Sequence, residues 1–180
     1  MSRSVPRPGA SITVETRASS ANLGPGFDSV GLALGVWDRC TVTVTDEPGV
    51  RVEVEGEGAQ GVPRDGSHLV VRTMHRTWQA LGVPAPAGLH LASVNTVPHG
   101  RGMGSSATAI VTGIVAAQAI SGEGDSFGLF DPGFTNDLAA RLEGHPDNAS
   151  ASIFGGATLS WSDDPEVGTT TVRLAIHEDV

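Results

Sequence analysis

Three short stretches of this sequence carry the residue types that bind phosphate, divalent cations and small polar ligands. They span Ser19 to Asp28, Pro98 to Ser106, and Glu143 to Asn148. Each combines glycine or proline with serine, carboxylate or amide side chains. Such stretches form ligand-binding loops when a rigid scaffold positions them. The chemistry that each could perform depends on its residue types and on the helices and strands that flank it.

The middle stretch has the pattern of a phosphate-binding loop. Its residues are Pro98, His99, Gly100, Arg101, Gly102, Met103, Gly104, Ser105 and Ser106. It lies between a predicted strand, 89–96, and a predicted apolar helix, 105–120. Alternate glycines let the backbone curl, so that its N–H groups and those of the helix start would surround a phosphate. Either serine could cap the helix, and one of them could bind Mg²⁺.

Two better-known phosphate motifs fit this loop less well. A P-loop requires a lysine after its last glycine, and no lysine is present here. The dinucleotide fingerprint is met only loosely, by Gly102, Gly104 and Ala107, and without a βαβ unit around it. A glycine-rich turn with no ligand is the remaining alternative. The position between a strand and a buried helix favours phosphate binding.

The first stretch presents an amide, Asn22, and a carboxylate, Asp28, on a loop that Pro25 and two glycines shape. A carboxylate binds an ammonium group, and an amide binds a hydroxyl or a carboxylate. The pair could therefore hold an amino alcohol. The alternative is a turn in which Asp28 caps a helix-like run at residues 30–34.

The third stretch begins where a predicted helix, residues 135–143, ends on Glu143. The polar residues that follow are His145, Asp147 and Asn148. Glu143 could complete an Mg²⁺ shell with Ser106 because Mg²⁺ prefers hard oxygen ligands. Asp147 and His145 could bind an amino acid. The alternative is a solvated polar loop, but a carboxylate at a helix C-terminus opposes the macrodipole and favours a compensating cation.

The bulk composition narrows the class of protein. The 180 residues are 39% hydrophobic, 17% charged and 4% aromatic, with a net charge of −9. An acidic chain with few aromatics is not expected to bind nucleic acid or an anionic membrane. No apolar run approaches the roughly 18 residues of a membrane helix, and the polar start lacks a signal peptide. We therefore predict a cytoplasmic protein, with its single cysteine, Cys40, buried as a small hydrophobe.

Hydrophobic periodicity predicts a mixed chain of strands and helices. Predicted strands are residues 12–16, 40–44, 50–54, 89–96, 157–161 and 170–176, and predicted helices are residues 67–81, 105–120 and 135–143. Strands 40–44 and 50–54 flank the turn-forming run 46–49 and are predicted to pair as a hairpin. Residues 19–31 and 121–134 are predicted loops. Without a regular βαβ order, this pattern indicates the α+β class.

The glycine-rich loop resembles the phosphate-binding signature of the GHMP small-molecule kinases, P-x-x-x-G-[LM]-[GS]-S-S-[GSA]. The resemblance implies a ribosomal-protein-S5-like α+β domain whose loop at 98–106 wraps the phosphates of ATP. It also implies that Ser106, with Ser105 as the alternative, helps to hold Mg²⁺. Residues near Ser67 to Leu69 are candidates for contact with adenine.

The two other stretches resemble the homoserine kinase branch of this family, which shows S-A-N-L-G-P-G-F-D and E-G-H-P-D-N. This resemblance implies that Asn22, Asp28, His145 and Asp147 bind homoserine and that Glu143 binds Mg²⁺. Several sister kinases place a catalytic aspartate where this chain has Asn148. An amide cannot accept a proton at neutral pH, so Asp147 and Asn148 would act by positioning during direct attack of the hydroxyl.

The resemblance covers residues 10–176 and implies an activity. That activity is ATP- and Mg²⁺-dependent phosphorylation of the side-chain hydroxyl of L-homoserine to O-phospho-L-homoserine, in threonine biosynthesis. The alternatives are another GHMP kinase, such as one acting on mevalonate, and a truncated, inactive nucleotide-binding module. Members of the family are often homodimers. They continue into a C-terminal ferredoxin-like domain, so residues 1–165 are assigned to the N-terminal domain and 166–180 to the start of the next. We expect residues 1–180 alone to self-associate and to phosphorylate homoserine negligibly.

Overall fold

A computed structural model of the chain describes residues 5–122, 130–162 and 168–176. The strands in these residues are β1 (Ser11–Ala21), β2 (Val30–Thr45), β3 (Gly49–Gly56), β4 (Gly88–Asn95), β5 (Ala157–Trp161) and β6 (Thr170–Leu174). The α-helices are α1 (Leu69–Leu81), α2 (Ser105–Ser121), α3 (Pro132–Glu143) and α4 (Asp147–Phe154), and a 3₁₀ segment covers Gly24–Ser29. The predicted α+β class is confirmed.

One six-stranded sheet forms the scaffold of the described residues. Its order is β3-β4-β2-β5-β6, and β1 pairs with β2. The long strand β2 is antiparallel to β1, β4 and β5, whereas β3 and β4 are parallel. Because β2 spans 16 residues, β4 and β5 can pair with its two ends. This arrangement places the end of β1 beside the helices that follow β4.

The predicted hairpin between residues 40–44 and 50–54 is wrong. Both segments are strands, but β4 lies between them, with Gly88 opposite Thr45 on one side and Gly49 on the other. A Cβ at Gly88 would collide with the backbone of Glu47, so glycine lets β4 enter beneath the turn. Alternating hydrophobicity predicts a strand but does not specify its partner.

The helices cover one face of the sheet and share two apolar clusters. In the first, Met74 and Trp78 of α1 pack on strand residues such as Val42 and Leu91. In the second, α2 packs on α3 and α4, with Ile114 of α2 fully buried. Helix α2 is buried on nearly all sides, which confirms the prediction of a buried apolar helix at residues 105–120. None of the helices in the described residues combines the length and hydropathy that crossing a lipid bilayer requires.

Helix α4 was not predicted from the sequence, which indicated a polar loop from residue 145. The helix carries buried serines instead of an apolar stripe, so its periodicity gives no signal. Ser150 donates a hydrogen bond to Asn136 Oδ1 (2.7 Å), and Ser152 donates one to the Arg17 carbonyl (2.8 Å). These bonds satisfy hydroxyl groups that would otherwise be costly to bury. The predicted loop at 19–31 also differs, because β1 continues to Ala21 and β2 begins at Val30.

Candidate active site

The glycine-rich segment 98–104 forms a curled loop at the start of α2. Gly100, Gly102 and Gly104 have φ values of 65°, 71° and 69°, a left-handed conformation that favours glycine. Gly104 is the N-cap residue of α2, and no side chain caps the helix. The expectation that Ser105 or Ser106 caps it is therefore wrong. Both serines lie in the first turn instead, where the Ser106 side chain is exposed.

Asp38 of β2 connects the two ends of this loop, a role that the sequence did not suggest. Its Oδ1 accepts hydrogen bonds from the backbone N–H groups of Thr96 (2.8 Å) and Val97 (2.9 Å), just before the loop. Its Oδ2 lies 3.1 Å from the Thr108 hydroxyl in the first turn of α2, which shares its single hydrogen with the Ser105 carbonyl oxygen (2.8 Å). A single carboxylate therefore fixes the distance between the entry and the exit of the loop.

Replacing Asp38 with alanine is expected to weaken MgATP binding about tenfold, because the loop loses this connection and two N–H groups lose their acceptor. Asp38→Asn keeps one oxygen for the N–H groups and should bind within about threefold of the wild type. Isothermal titration with a non-hydrolysable ATP analogue measures both dissociation constants. Equal affinities for the alanine variant and the wild type would contradict the connecting role.

A cavity of about 260 Å³ opens beside the loop. Residues from four elements line it, and they include Cys40, His68, Leu69, Ser93, Ser105 and Ser106. Burial lowers the pKa of His68, with a further contribution from the charge of Arg64, so the imidazole is neutral at pH 7. Cys40 is buried, as predicted, and burial raises the pKa of its thiol. A partly apolar cavity next to a phosphate-binding loop suits the base of a nucleotide.

Asp147 lies at the start of α4 and is fully buried. Its Oδ1 accepts hydrogen bonds from the backbone N–H of Asn148 (2.6 Å) and from Nδ1 of His145 (2.7 Å). Within the described residues its Oδ2 has no hydrogen-bond partner. The predicted alternative of a solvated loop is therefore wrong for Asp147. A buried carboxylate oxygen without a partner is costly unless a ligand reaches it.

The charges around His145 favour its protonated form. Burial by itself would lower the pKa of this histidine. The hydrogen bond to Asp147 and the charges of Asp147, Glu143 and Asp28 outweigh burial and raise the pKa above its ordinary value of 6.5. The protonated His145 ring is attracted to all three carboxylates.

This raised pKa predicts a pH-dependent contribution to stability. A group whose pKa is higher in the folded state stabilises fully below its ordinary pKa and loses that effect as pH rises through the raised value. The melting temperature of His145→Gln should therefore fall further below that of the wild type at pH 6 than at pH 9. Thermal unfolding at both pH values measures the difference, with the exposed His75→Gln as the control. A deficit that is the same at both pH values would contradict the ion pair.

Glu143 ends α3 beside the start of α2. Burial raises the pKa of its carboxyl group, although the charge of His145 and a hydrogen bond with Ser106 act in the opposite direction. Its Oε2 is buried without a partner in the described part of the chain. The pair formed by Glu143 and Ser106 supplies the hard oxygen atoms that Mg²⁺ prefers.

Glu143 and Ser106 would hold Mg²⁺ only together with the phosphate oxygens of a nucleotide. Across residues 5–122, 130–162 and 168–176, no group of three or more His, Cys, Asp or Glu side chains is arranged to hold a metal ion. Mg²⁺ commonly takes one or two protein ligands and completes its shell with phosphate oxygens and water. The hydroxyl of Ser106 and the orphaned oxygen of Glu143 therefore fit an ion that arrives with ATP.

His145 lines a wider cavity of about 550 Å³. Its lining includes Asp28, Ser29, Arg141, His145, Pro146 and Trp161. The structure thus brings Asp28 and His145 to one cavity. Asn22 lies at the end of β1 with an exposed side chain and a φ of 57°, and no side-chain hydrogen bond of Asn22 is seen in the described residues. The run at 30–34 that Asp28 could have capped as a helix belongs to β2.

Comparison with known proteins gives the family of this chain. The N-terminal domain of the GHMP kinases matches residues 68–156. Homoserine kinases of Mycolicibacterium vanbaalenii and Cutibacterium acnes are 47% and 49% identical to the chain over 100% and 87% of its length. The chain belongs to the GHMP kinase family.

Solved structures agree with this assignment. The crystal structure of homoserine kinase from Cytophaga hutchinsonii superposes with a TM-score of 0.76 at 27% identity, over 93% of this chain and 53% of that one. The chain spans 57% of the Mycolicibacterium protein and 52% of the Cutibacterium protein. This GHMP domain therefore corresponds to about half the length of the curated relatives it matches.

The GHMP match includes two of the three stretches that the sequence singled out. The loop at 98–106 and the segment 143–148 lie within it, whereas Asn22 and Asp28 lie before it. Sequence reasoning gave no role to two residues that position these stretches, Asp38 and Ser19, although Ser19 begins the first stretch. Asp38 is a lone carboxylate in a strand, a signal that could have been found. Ser19 is one of many serines, and only its contacts distinguish it.

Proposed function

We propose that this chain forms the nucleotide- and substrate-binding half of an ATP-dependent kinase that converts L-homoserine to O-phospho-L-homoserine, a step of threonine biosynthesis. The observation that carries the proposal is the convergence of the three stretches. The Ser106 hydroxyl is near enough to Glu143 to lower the pKa of its carboxyl group, and Ser19 contacts both Met103 and Asn148. The relatives named homoserine kinase, at 47–49% identity, support the choice of substrate.

The nucleotide would lie along the glycine-rich loop. Backbone N–H groups of residues 98–106 would bind the phosphates, and the base would enter the cavity next to His68 and Leu69. Ser106 and Glu143 would hold Mg²⁺. When bound, Mg²⁺ neutralises the charge that develops on the transferring phosphoryl group. Few basic side chains are needed, because the backbone supplies most of the donors.

Homoserine would lie between this loop and the wider cavity. The unpartnered carboxylate oxygen of Asp147 is suited to the substrate ammonium, since it is buried and accepts only. Asp28 and His145 line the mouth of the cavity, and we assign both to substrate binding. We also assign Asn22 to substrate binding, because it lies in the first stretch together with Asp28.

Phosphoryl transfer needs no protein base in this arrangement. The Asn148 side chain cannot accept a proton at neutral pH. The substrate hydroxyl oxygen would form the new bond to the γ-phosphorus as the bond to the bridging oxygen breaks, and ADP leaves with that electron pair. The hydroxyl proton passes to a phosphoryl oxygen or to water. Catalysis then rests on alignment by Asp147 and Asn148 and on charge neutralisation.

A second domain would complete this enzyme. The curated relatives extend over nearly twice the matched length, and we assign residues 1–165 to the ATP-binding domain and 166–180 to the start of the next. Strand β6 pairs with β5, and its Val172 and Leu174 are exposed together with Leu159. Such an apolar surface suits coverage by a following domain. A cytoplasmic location and a homodimer are expected by resemblance.

The test has a binding step and a turnover step. Titration of the 180-residue chain with MgATP analogue should show saturable binding that requires Mg²⁺. ADP release by the full-length gene product should then depend on homoserine and not on mevalonate. Binding without homoserine-dependent turnover would overturn the proposed substrate, and absence of nucleotide binding would overturn the kinase assignment.

Substrate and nucleotide should be separable by mutation. In the full-length gene product, Asp28→Ala and Asp147→Ala are each expected to raise the KM for homoserine about tenfold or more, because an ammonium loses a charged partner. The KM for ATP should change by less than about twofold, since neither carboxylate contacts the loop. Steady-state kinetics with each substrate varied measure the split. Parallel losses for both substrates would indicate that these carboxylates are structural.

A further inference from the structure

The hydroxyl of Ser19, at the end of β1, lies among three segments of the site. Ser19 is fully buried. Its Oγ is 3.0 Å from Oδ1 of Asn148 in α4 and 3.3 Å from Oγ of Ser152. Its backbone N–H donates to the carbonyl of Met103 in the glycine-rich loop (3.2 Å). One residue therefore contacts both the loop and the amide of α4.

Counting hydrogen atoms gives the direction of these bonds. Ser152 has a single hydroxyl hydrogen, and its Oγ lies 2.8 Å from the Arg17 carbonyl oxygen, which can only accept. Ser152 therefore donates to Arg17. The hydroxyl hydrogen of Ser19 is then directed to its nearer acceptor, the carboxamide oxygen of Asn148.

The opposite side of the Asn148 amide imposes the same orientation. Its Nδ2 lies 3.5 Å from Oδ1 of Asp147, an oxygen that accepts hydrogen bonds and cannot donate them. Turning the carboxamide by half a turn would place its oxygen against this carboxylate and its N–H₂ group against the Ser19 donor. The contact between the two oxygen atoms would be repulsive, whereas the Ser19 hydroxyl can either donate or accept. The carboxylate of Asp147 therefore decides the orientation, and the N–H₂ edge faces it.

The glycine-rich loop packs directly on this pair. A Cβ at Gly104 would collide with Oγ of Ser19 and would lie 2.9 Å from Oδ1 of Asn148. Only a residue without a side chain allows this approach at a φ of 69°. The loop, Ser19 and Asn148 are therefore in close contact at this point.

We propose that Ser19 is a positioning residue, whose buried hydroxyl holds the Asn148 carboxamide with its N–H₂ edge toward the substrate side of the phosphate loop. Asn148 then presents hydrogen-bond donors to the reacting oxygen atoms and no acceptor. The catalytic consequence rests on the proposed kinase function. The orientation of the amide rests on the contacts alone.

The kinetic test compares two neighbouring serines in the full-length gene product. Ser19→Ala should lower kcat about tenfold, the loss expected for one hydrogen bond to a positioned amide, with the KM for ATP within about twofold. Ser152→Ala is the matched control. It removes a buried hydroxyl of the same network but leaves the Ser19 to Asn148 bond, so kcat should stay within about twofold. Ser19→Cys, which keeps a weak donor, should be intermediate.

An NMR measurement tests the orientation without any substrate. In the 180-residue chain, the side-chain amide signals of Asn148 should shift and exchange faster in Ser19→Ala but not in Ser152→Ala. An unchanged Asn148 signal, or an equal loss of kcat in both variants, would overturn the proposal. If Ser19→Ala does not fold, wild-type kcat in Ser19→Cys would overturn it. If the Asn148 amide signals respond to Ser19→Ala but the full-length gene product does not phosphorylate homoserine, the proposed function is refuted and this inference stands.

Discussion

Replacing Gly102 with valine is expected to abolish MgATP binding to this chain. Gly102 has a φ of 71°, where a β-branched side chain costs about 1–3 kcal/mol. No other part of the described protein lies within 4 Å of the place where its Cβ would stand. The valine would therefore project into the open side of the loop, which we assign to the phosphates. The protein should remain folded but lose the ligand.

Gly122→Val provides a matched control at the other end of the same helix. Gly122 has a φ of 66°, and no described residue lies within 4 Å of the place where its Cβ would stand, so the backbone strain of the two substitutions is nearly the same. The 17 residues of α2 place it about 25 Å from the loop. Both variants should show similar melting temperatures, and only Gly102→Val should lose binding of the ATP analogue by isothermal titration. Retained binding in Gly102→Val would mean that phosphate does not enter this loop.

The elements of this fold were largely predictable because their apolar patterns are local. Helix α1 follows the spacing of Val70, Met74 and Trp78, and Gly82 ends it in a left-handed cap. The order of the sheet was not predictable, because the position of β4 between β2 and β3 depends on contacts between residues far apart in sequence. Glycine at residue 88 is needed there, but glycine is also common in turns and bulges and so does not by itself indicate which strands are neighbours.

The candidate site likewise divides into residue types that the sequence predicted and long-range contacts that it did not. The residue types of the three stretches indicated phosphate, cation and polar ligand chemistry from the sequence. The residues that hold the stretches together were missed, because Ser19 and Asn148 are 129 positions apart, and Asp38 and Thr108 are 70 apart. Neither pair leaves a local pattern.

Helix α4 shows why composition misled the sequence-based prediction. The run from Ala149 to Ser152 alternates alanine and serine. In this structure its two serines are buried and donate to Asn136 and to the Arg17 carbonyl. These polar residues connect α4 to α3 and to β1.

Glu143→Gln is expected to raise the thermal stability of the free protein and to remove the effect of Mg²⁺ on nucleotide binding. Burial raises the pKa of Glu143, so the folded protein resists its ionisation. Glutamine keeps the shape of the side chain without the charge. The stabilisation should be greatest above the raised pKa, where the wild-type carboxylate is ionised. It should fade as pH falls toward the ordinary value of 4.5, where the folded and unfolded states both hold the proton.

The same substitution should severely reduce activity in the full-length gene product. The Glu143 carboxyl group has a buried oxygen without a partner and interacts with Ser106 at the start of α2, where we place an ion bound to the ATP phosphates. Loss of this ligand should lower kcat on the order of a hundredfold or more, because the metal no longer holds the charge of the transferring group. Binding of the ATP analogue should become nearly the same with Mg²⁺ and with EDTA.

Stability and binding together distinguish a ligand residue from a structural one. Glu47→Gln, in the exposed turn between β2 and β3, is the control and should change neither the melting temperature nor the Mg²⁺ dependence. Thermal unfolding across pH and paired titrations with Mg²⁺ and with EDTA provide the two measurements. A lower melting temperature for Glu143→Gln, with the wild-type response to Mg²⁺ retained, would show that this carboxylate serves the fold. The opposite result is a more stable Glu143→Gln variant that no longer responds to Mg²⁺. It would show that the buried charge of Glu143 costs stability in the free protein and serves to bind the cation.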